Sequence, residues 1–434
     1  MTLKQECKAW TILSVGALAI AGVFALLLVL SRTPYVQDVL PWPWKSFFHK
    51  GLVVHVIFSF VVWFLATMGA VFTYRLVNHQ AEHAVTKLGP VSIGLAFLGC
   101  VCLMIPALFD LGTAELNNYV PVMNHPIYYA GLILLFLSLA LVSLRQLRLL
   151  DVSSCCAFIY LIACICFLWA WYALPAGLAE PSFNEQLFWG GGHILQFVNT
   201  ALLVLVWSAV VKKRLIKKPY EWAVFVILLI FAGSGPLVYM LSDILSQTNR
   251  DFFTALLRYG LPLPSIIVSV FLIRFLLYQR EDHKDRLVVT ALWLSLLTYN
   301  LGGVFGLFLD GTDTRVPAHY HAVIGGINLG FMIFYHRIIL PFIGIHPVNG
   351  RWLTLQYWFY GLGQIMHASG MFLAGLQGVP RKTAGTAQGL DNIDKILSMG
   401  LMGIGGLIAV VGGVLFVVMT LNWMIKGGRI HEAT

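Results

Sequence analysis

Thirteen histidines occur in the 434 residues, and four of them stand near the starts of long apolar stretches. His55 opens the run HVIFSFVVWF, His193 follows Gly190-Gly191-Gly192, and His319 and His321 lie two apart in VPAHYHAVIGG. An ionisable side chain within hydrocarbon is costly and marks function by default, the plain alternative being a neutral imidazole bonded to a helix carbonyl. Imidazole is also the commonest metal ligand. Successive residues of an α-helix turn by about 100°, so residues two apart leave it about 200° apart. Two ligands on one metal from one face want a spacing of four; His-x-His instead serves two centres on opposite sides. A helix lying between two haems, giving one axial imidazole to each, fits that geometry. His55 then completes a six-coordinate haem with one of the pair, and the other haem keeps an open position for a gas. Gly190 to Gly192, Gly325 and Gly326 either admit flat macrocycles to the backbone or mark close helix packing.

The elements that must hold these imidazoles follow from composition. Hydrophobic residues make up 59% of the chain and charged residues 11%, with a mean hydropathy of +0.82. Soluble domains are about a quarter charged, so a water-soluble enzyme, a nucleic-acid binder and a disordered chain are all excluded. About 20 apolar residues cross roughly 30 Å of hydrocarbon. Apolar runs give twelve spans, near 10–31, 49–77, 88–109, 126–147, 155–175, 187–211, 221–243, 254–278, 287–309, 317–343, 354–377 and 397–425. The expectation is an all-α polytopic membrane protein of twelve transmembrane helices, with residues 1–434 forming a single domain.

The net charge of +9 reports topology. Nineteen Lys and Arg fall on the side of the two termini and nine on the other. The cluster Lys212, Lys213, Arg214, Lys217 and Lys218 dominates one loop. Both termini are therefore expected in the cytoplasm, and all four histidines in the outer half of the membrane. The first run, Trp10 to Leu30, is long enough to span and reads as an uncleaved helix. Seven cysteines form no CxxC or CxxCH pattern, which leaves covalent c-type haem unsupported. His49, His79, His83, His125, His283, His336, His346 and His431 fall at helix ends or in loops and read as interfacial residues. His367 lies inside the eleventh span.

Together these residues resemble the catalytic subunit I of the haem–copper oxidase superfamily, which includes cytochrome oxidases and nitric oxide reductases. The resemblance covers nearly the whole chain. VPAHYHAVIG looks like its helix 10 signature, LFWGGGHILQF like the helix 6 segment with the first copper-ligand histidine, and NRDFFTALLRYGLPLPSII like the start of helix 8. GLQGVPRKTAG resembles the outer loop after helix 11, and NNYVPVMNHPIYY has the look of the segment before helix 4. The resemblance implies two non-covalent haems, of b-type or a related kind. His319 would bind the gas-binding haem, His321 with His55 the electron-transfer haem, and Arg381 and Lys382 the propionates. Those two cations also lie on the side poor in Lys and Arg, where they want anionic partners. Oxygen or nitric oxide is the implied gas, with a cytochrome c-type donor or companion membrane subunits as partners. The expected location is the bacterial cytoplasmic membrane, with the haems toward its outer side.

The departures carry equal weight. Family members have an adjacent histidine pair near the end of helix 7, whereas AVFVILLIFAGSGPLVYMLSD contains none. One imidazole, that of His193, does not make a copper site, for which three nitrogen ligands are the usual demand. Phe197 stands where many oxidases carry a tyrosine four residues after this histidine, and Tyr239 is the candidate substitute. Glutamates for a non-haem iron are missing from mid-helix 6, where Gln196 is neutral and Glu185 precedes the span. Two functions stay open. One is an oxidoreductase moving electrons from a low-spin haem to a gas-binding high-spin haem, with His193 hydrogen-bonding the bound diatomic. The other is a catalytically degenerate haem-binding relative acting as a sensor or as a subunit of a larger complex. A proton-coupled transporter would call for inverted repeats and broken helices, which the sequence lacks.

Overall fold

The computed structural model describes residues 1–32, 44–79, 87–211, 215–278, 285–309, 311–383 and 385–426. Lys212, Lys213 and Arg214 of the basic loop lie outside the described residues, as do His83, His283 and His431. A helix occupies each expected span: α1 (Leu3–Leu28), α2 (His49–Asn78), α3 (Leu88–Leu108), α4 (Pro126–Leu149), α5 (Val152–Ala173), α6 (Glu180–Val210), α7 (Lys218–Leu241), α8 (Gln247–Tyr278), α9 (Arg286–Gly306), α10 (Arg315–Phe342), α11 (Arg351–Leu376) and α12 (Ile393–Lys426). Among the described residues, eleven are long and apolar enough to cross a membrane. The exception, α11, has 26 residues, about 39 Å at the helical rise, but carries Gln356, Gln364 and His367. The chain is an all-α polytopic membrane protein.

The helices divide into two compact units. The first holds α2 to α5, α7, most of α1 and α6, and α8 as far as Val268; the second holds the rest of α8 and α9 to α12. His55 and His193 belong to the first unit, and His319, His321, Arg381 and Lys382 to the second.

Several helices start earlier than their apolar runs. The α1 helix begins at Leu3, where the Thr2 hydroxyl accepts from the Gln5 backbone amide at 3.2 Å and the Gln5 side chain accepts from the Thr2 backbone amide at 2.9 Å. This is a reciprocal cap, and the first turn behind it carries Glu6 into the first unit. The Glu6 carboxylate accepts from Arg145 Nη1 at 2.9 Å and from Thr73 Oγ1 at 3.0 Å, so a buried acid is paired and bonded rather than bare. The start of α8 is set by Ser246, whose hydroxyl accepts from the Asn249 amide at 3.1 Å and caps the first turn. Between α3 and α4 a small antiparallel hairpin pairs β1 (Ala114–Glu115) with β2 (Val122–Met123).

Two helices that carry the expected ligands contain π-turns, at Ile57–Val62 just after His55 and at Tyr335–Ile339 in α10. Such turns occur frequently at functional sites. The second corrects the interfacial reading of His336. That residue is buried, its Nδ1 lies 2.8 Å from the Tyr357 hydroxyl, and the rings of Phe416 and Trp423 enclose it.

Candidate functional site

In the first unit the chemistry gathers around one turn of α6. His193 is only 2% exposed, and its Nδ1 lies 2.7 Å from the carbonyl of Trp189, one turn back. A carbonyl only accepts, so the proton sits on Nδ1 and the lone pair on Nε2. That Nε2 accepts from the Tyr119 hydroxyl at 3.1 Å. Tyr119 lies in the tip of the β1–β2 hairpin, which delivers it to His193 from outside the membrane spans. Burial first, and the Glu185 carboxylate second, push the Tyr119 phenol above its ordinary value, so it remains a protonated donor.

Aromatic rings complete the cluster. Tyr119, Trp189 and Phe253 have centroids 4.7, 4.6 and 5.9 Å from that of His193. The glycine run makes room for them. A Cβ at Gly192 would lie 2.5 Å from Tyr119 Cγ, one at Gly191 would overlap Phe167, and one at Gly190 would overlap Tyr239 and Phe253. Gly325 meets the Gln364 side chain and Gly326 the Tyr299 backbone, so close packing is the role these five glycines play. Arg250 lies 4.7 Å above the Trp189 ring and 3.9 Å from Glu185. Tyr239 shares Phe253 with His193 as a neighbour, 5.1 Å away between centroids, and its hydroxyl has no hydrogen-bond partner among the described residues.

The other histidines are seated by backbone. His55 Nδ1 lies 3.0 Å from the Ala21 carbonyl of α1. In the second unit, His319 Nδ1 lies 2.7 Å from the Gly302 carbonyl of α9. Gly306, one turn on, leaves the space, since a Cβ there would stand 2.9 Å from His319 Nδ1. In each case the carbonyl holds the proton on Nδ1 and leaves the lone pair on Nε2, the arrangement in which ligating histidines are usually found. His55 and His319 therefore have the chemistry of residues that could hold haem iron. His321 turns toward α11, where its ring meets His367 with centroids 4.9 Å apart. The pair thus leaves α10 toward two different helices, as a spacing of two requires.

Arg381 and Lys382 follow α11 and are tied to the approach of α10. The Thr314 amide donates to the Val379 carbonyl at 3.0 Å, and the Arg381 amide to the Thr312 carbonyl at 3.3 Å. Asp313 accepts from Arg315 Nη2 at 2.6 Å. Burial raises the Asp313 carboxyl, but the bonds and charge of Arg315, with the charge of Arg381, outweigh it and hold it below the usual carboxylate range. Asp313 is thus an anionic neighbour of Arg381 within the chain. Lys382 is exposed with φ +60°, a region that non-glycine residues rarely occupy.

Copper does not fit at His193, a single imidazole whose Nε2 already accepts from Tyr119. Among the described residues no three His, Cys, Asp or Glu side chains converge to hold a metal ion. Sequence reasoning missed Tyr119, Arg250 and Asp313. The motif NNYVPVMNHPIYY holds the first of these, but nothing local ties a loop tyrosine to a histidine 74 residues on.

Residues 7–415 match the family model described as cytochrome c and quinol oxidase polypeptide I. An uncharacterised protein of Aquifex aeolicus is 31% identical over 74% of this chain and 81% of its own length. An uncharacterised protein of Rickettsia prowazekii is 25% identical over 98% of this chain and 97% of its own. Cytochrome c oxidase subunit 1 of Thermus thermophilus is 21% identical over 80% of this chain and 71% of its own. A heme-copper terminal oxidase dimer solved by cryo-electron microscopy shares the fold, with a TM-score of 0.71 at 16% identity over 100% of this chain and 85% of that one.

Proposed function

The chain belongs to the cytochrome c and quinol oxidase polypeptide I family, and from that membership we propose that it is a two-haem integral-membrane oxidoreductase that reduces oxygen or nitric oxide without copper. The observation that carries the reading is the seat of His319, whose Nδ1–H is held by the Gly302 carbonyl at 2.7 Å. Two haems, when bound, supply one-electron transfer and an iron that takes a diatomic gas. Every other part of the proposal concerns this chain's own side chains.

His319 would hold the gas-binding haem through Nε2, while His55 and His321 would hold the electron-transfer haem. Arg381 and Lys382 would hold propionates, with Asp313 as an anionic neighbour of Arg381. Reduction of oxygen or nitric oxide consumes protons, and the Tyr119–His193 pair is the proton-bearing unit at the place of the missing metal. Tyr119 donates its hydroxyl hydrogen bond to Nε2, so His193 in this tautomer is an acceptor and not, as the sequence suggested, a donor to the diatomic. A proton reaching substrate from the pair requires the Tyr119 hydroxyl to turn from Nε2 and the phenolate then to be re-protonated by water. Tyr239 is the second phenol of the same cluster. A cytochrome c-type protein or a companion membrane subunit supplies electrons, and the termini face the cytoplasm of a bacterium with the haems toward the outer leaflet.

The Tyr119 cap on His193 also favours a second reading, in which the protein binds haem and a gas but turns nothing over, as a sensor or as a subunit of a larger complex. Oxygen and nitric oxide consumption by the reduced, purified protein separates the two. Haem-dependent consumption supports the oxidoreductase; haem with gas binding and no consumption overturns it in favour of the second reading.

A further inference from the structure

His367 has no part in the function described so far. An imidazole inside a membrane helix is expensive, and this one is fixed at two points within the second unit. Its Nδ1 lies 2.8 Å from the carbonyl of Met402 on α12. Because a carbonyl only accepts, Nδ1 carries the proton. One turn beyond that carbonyl stands Gly406, where a Cβ would lie 2.8 Å from His367 Nδ1. The seat of His319 is built in the same way, from the Gly302 carbonyl and the glycine one turn beyond it, Gly306. Two different helices, α9 and α12, thus offer an imidazole a carbonyl and a side-chain-free turn beside it. On its other side the His367 ring meets the His321 ring edge to face, with centroids 4.9 Å apart and planes at 77°.

We propose that His367 is a positioning residue for His321, fixing the plane in which that imidazole is presented to iron. The proposal rests on the reading of His321 as a haem ligand. Aromatic rings prefer this edge-to-face geometry over a face-to-face sandwich, and the partners around a ligating histidine set its ring orientation and tune the metal. The sequence of restraint runs from the Met402 carbonyl to His367 and from His367 to His321. Gly406 permits the first step, because a side chain there would occupy the space of the imidazole, and Gly405 admits the His367 backbone beside it, where a Cβ would stand 2.4 Å from its nitrogen. His321 has Tyr320 on another side, 5.0 Å away between centroids, but that residue is its chain neighbour and moves with it. His367 is anchored to a different helix and holds the plane against rotation of α10.

The test uses the purified full-length protein with its haems, read by electron paramagnetic resonance of the ferric low-spin haem and by its midpoint potential. The variants are H367A, H367F and G406A, with H321A as the reference for ligand loss. We expect haem content per chain to stay at the parent value in the first three. In H367A the low-spin g-values and midpoint potential shift. H367F, which keeps a ring but not the bond to Met402, recovers part of the shift. G406A, which touches no proposed ligand, moves the signal in the same direction as H367A. Parent-like g-values and potential in both H367A and G406A overturn the proposal. Loss of the low-spin haem in H367A with its retention in H321A also overturns it, because His367 is then the ligand. Retention of the low-spin haem in H321A and H367A alike shows instead that the ligand reading beneath the proposal has failed.

Discussion

The Tyr119 hydroxyl stands 3.1 Å from Nε2 of His193, on the atom through which that histidine would otherwise hold a metal. Tyr119→Phe removes the donor and leaves a buried acceptor bare, a cost of about 1–3 kcal/mol. If the pair supplies protons to gas reduction, turnover falls by about 10²-fold or more, the scale of general acid catalysis. Gas consumption and thermal unfolding in detergent check both effects. Unchanged turnover in a folded Tyr119→Phe protein removes Tyr119 from the chemistry.

Gly192→Ala places a Cβ 2.5 Å from Tyr119 Cγ. Overpacking of this kind costs about 1–3 kcal/mol and moves the phenol away from His193. The expected outcome is a lowered unfolding midpoint together with a turnover defect resembling that of Tyr119→Phe. Gly303→Ala, where a Cβ meets nothing within 4 Å, should change neither.

Ligand assignments separate spectroscopically. His319→Ala should remove the high-spin haem signal and leave the low-spin one, whereas His55→Ala should do the reverse. Gly306→Ala, pressing on the His319 imidazole, should perturb only the high-spin signal. Optical and paramagnetic resonance spectra of the three variants decide it, and a parent spectrum in both histidine variants refutes the assignment.

The carboxyl of Asp313 is held below the ordinary carboxylate range by Arg315 and Arg381. A group depressed in the folded state contributes stability that is present above its unfolded pKa, about 3.9, and is lost as pH falls through the folded value. Asp313→Asn should therefore destabilise the protein by a constant amount at neutral pH, and the difference from the parent should shrink below about pH 4. Unfolding midpoints of the two proteins across that range measure it.

Much of the fold was legible because a span needs only a run of apolar residues, and each of the twelve expected runs holds a helix. The ends were less legible: α1 starts at Leu3, capped by Thr2 and Gln5, rather than at residue 10, and the charge in its first turn is buried because Glu6 finds Arg145, 139 positions away. The divergence of His319 and His321 was legible too, since helix geometry alone dictates it. Tyr119 was not, because a loop tyrosine has no periodicity and its partner lies on another helix. Nor was the burial of His336, which depends on rings from α11 and α12. The glycines beside the histidines left two readings open, and only the positions of Tyr119, Phe167 and Tyr299 decide for packing.

The central claim is a two-haem, copper-free centre, and metal content tests it most directly. Haem, iron and copper per chain of the purified protein would be measured together with reduced and CO-bound spectra. The account predicts two haems, no copper, and one haem that binds CO. Stoichiometric copper, or a protein without haem, would contradict it.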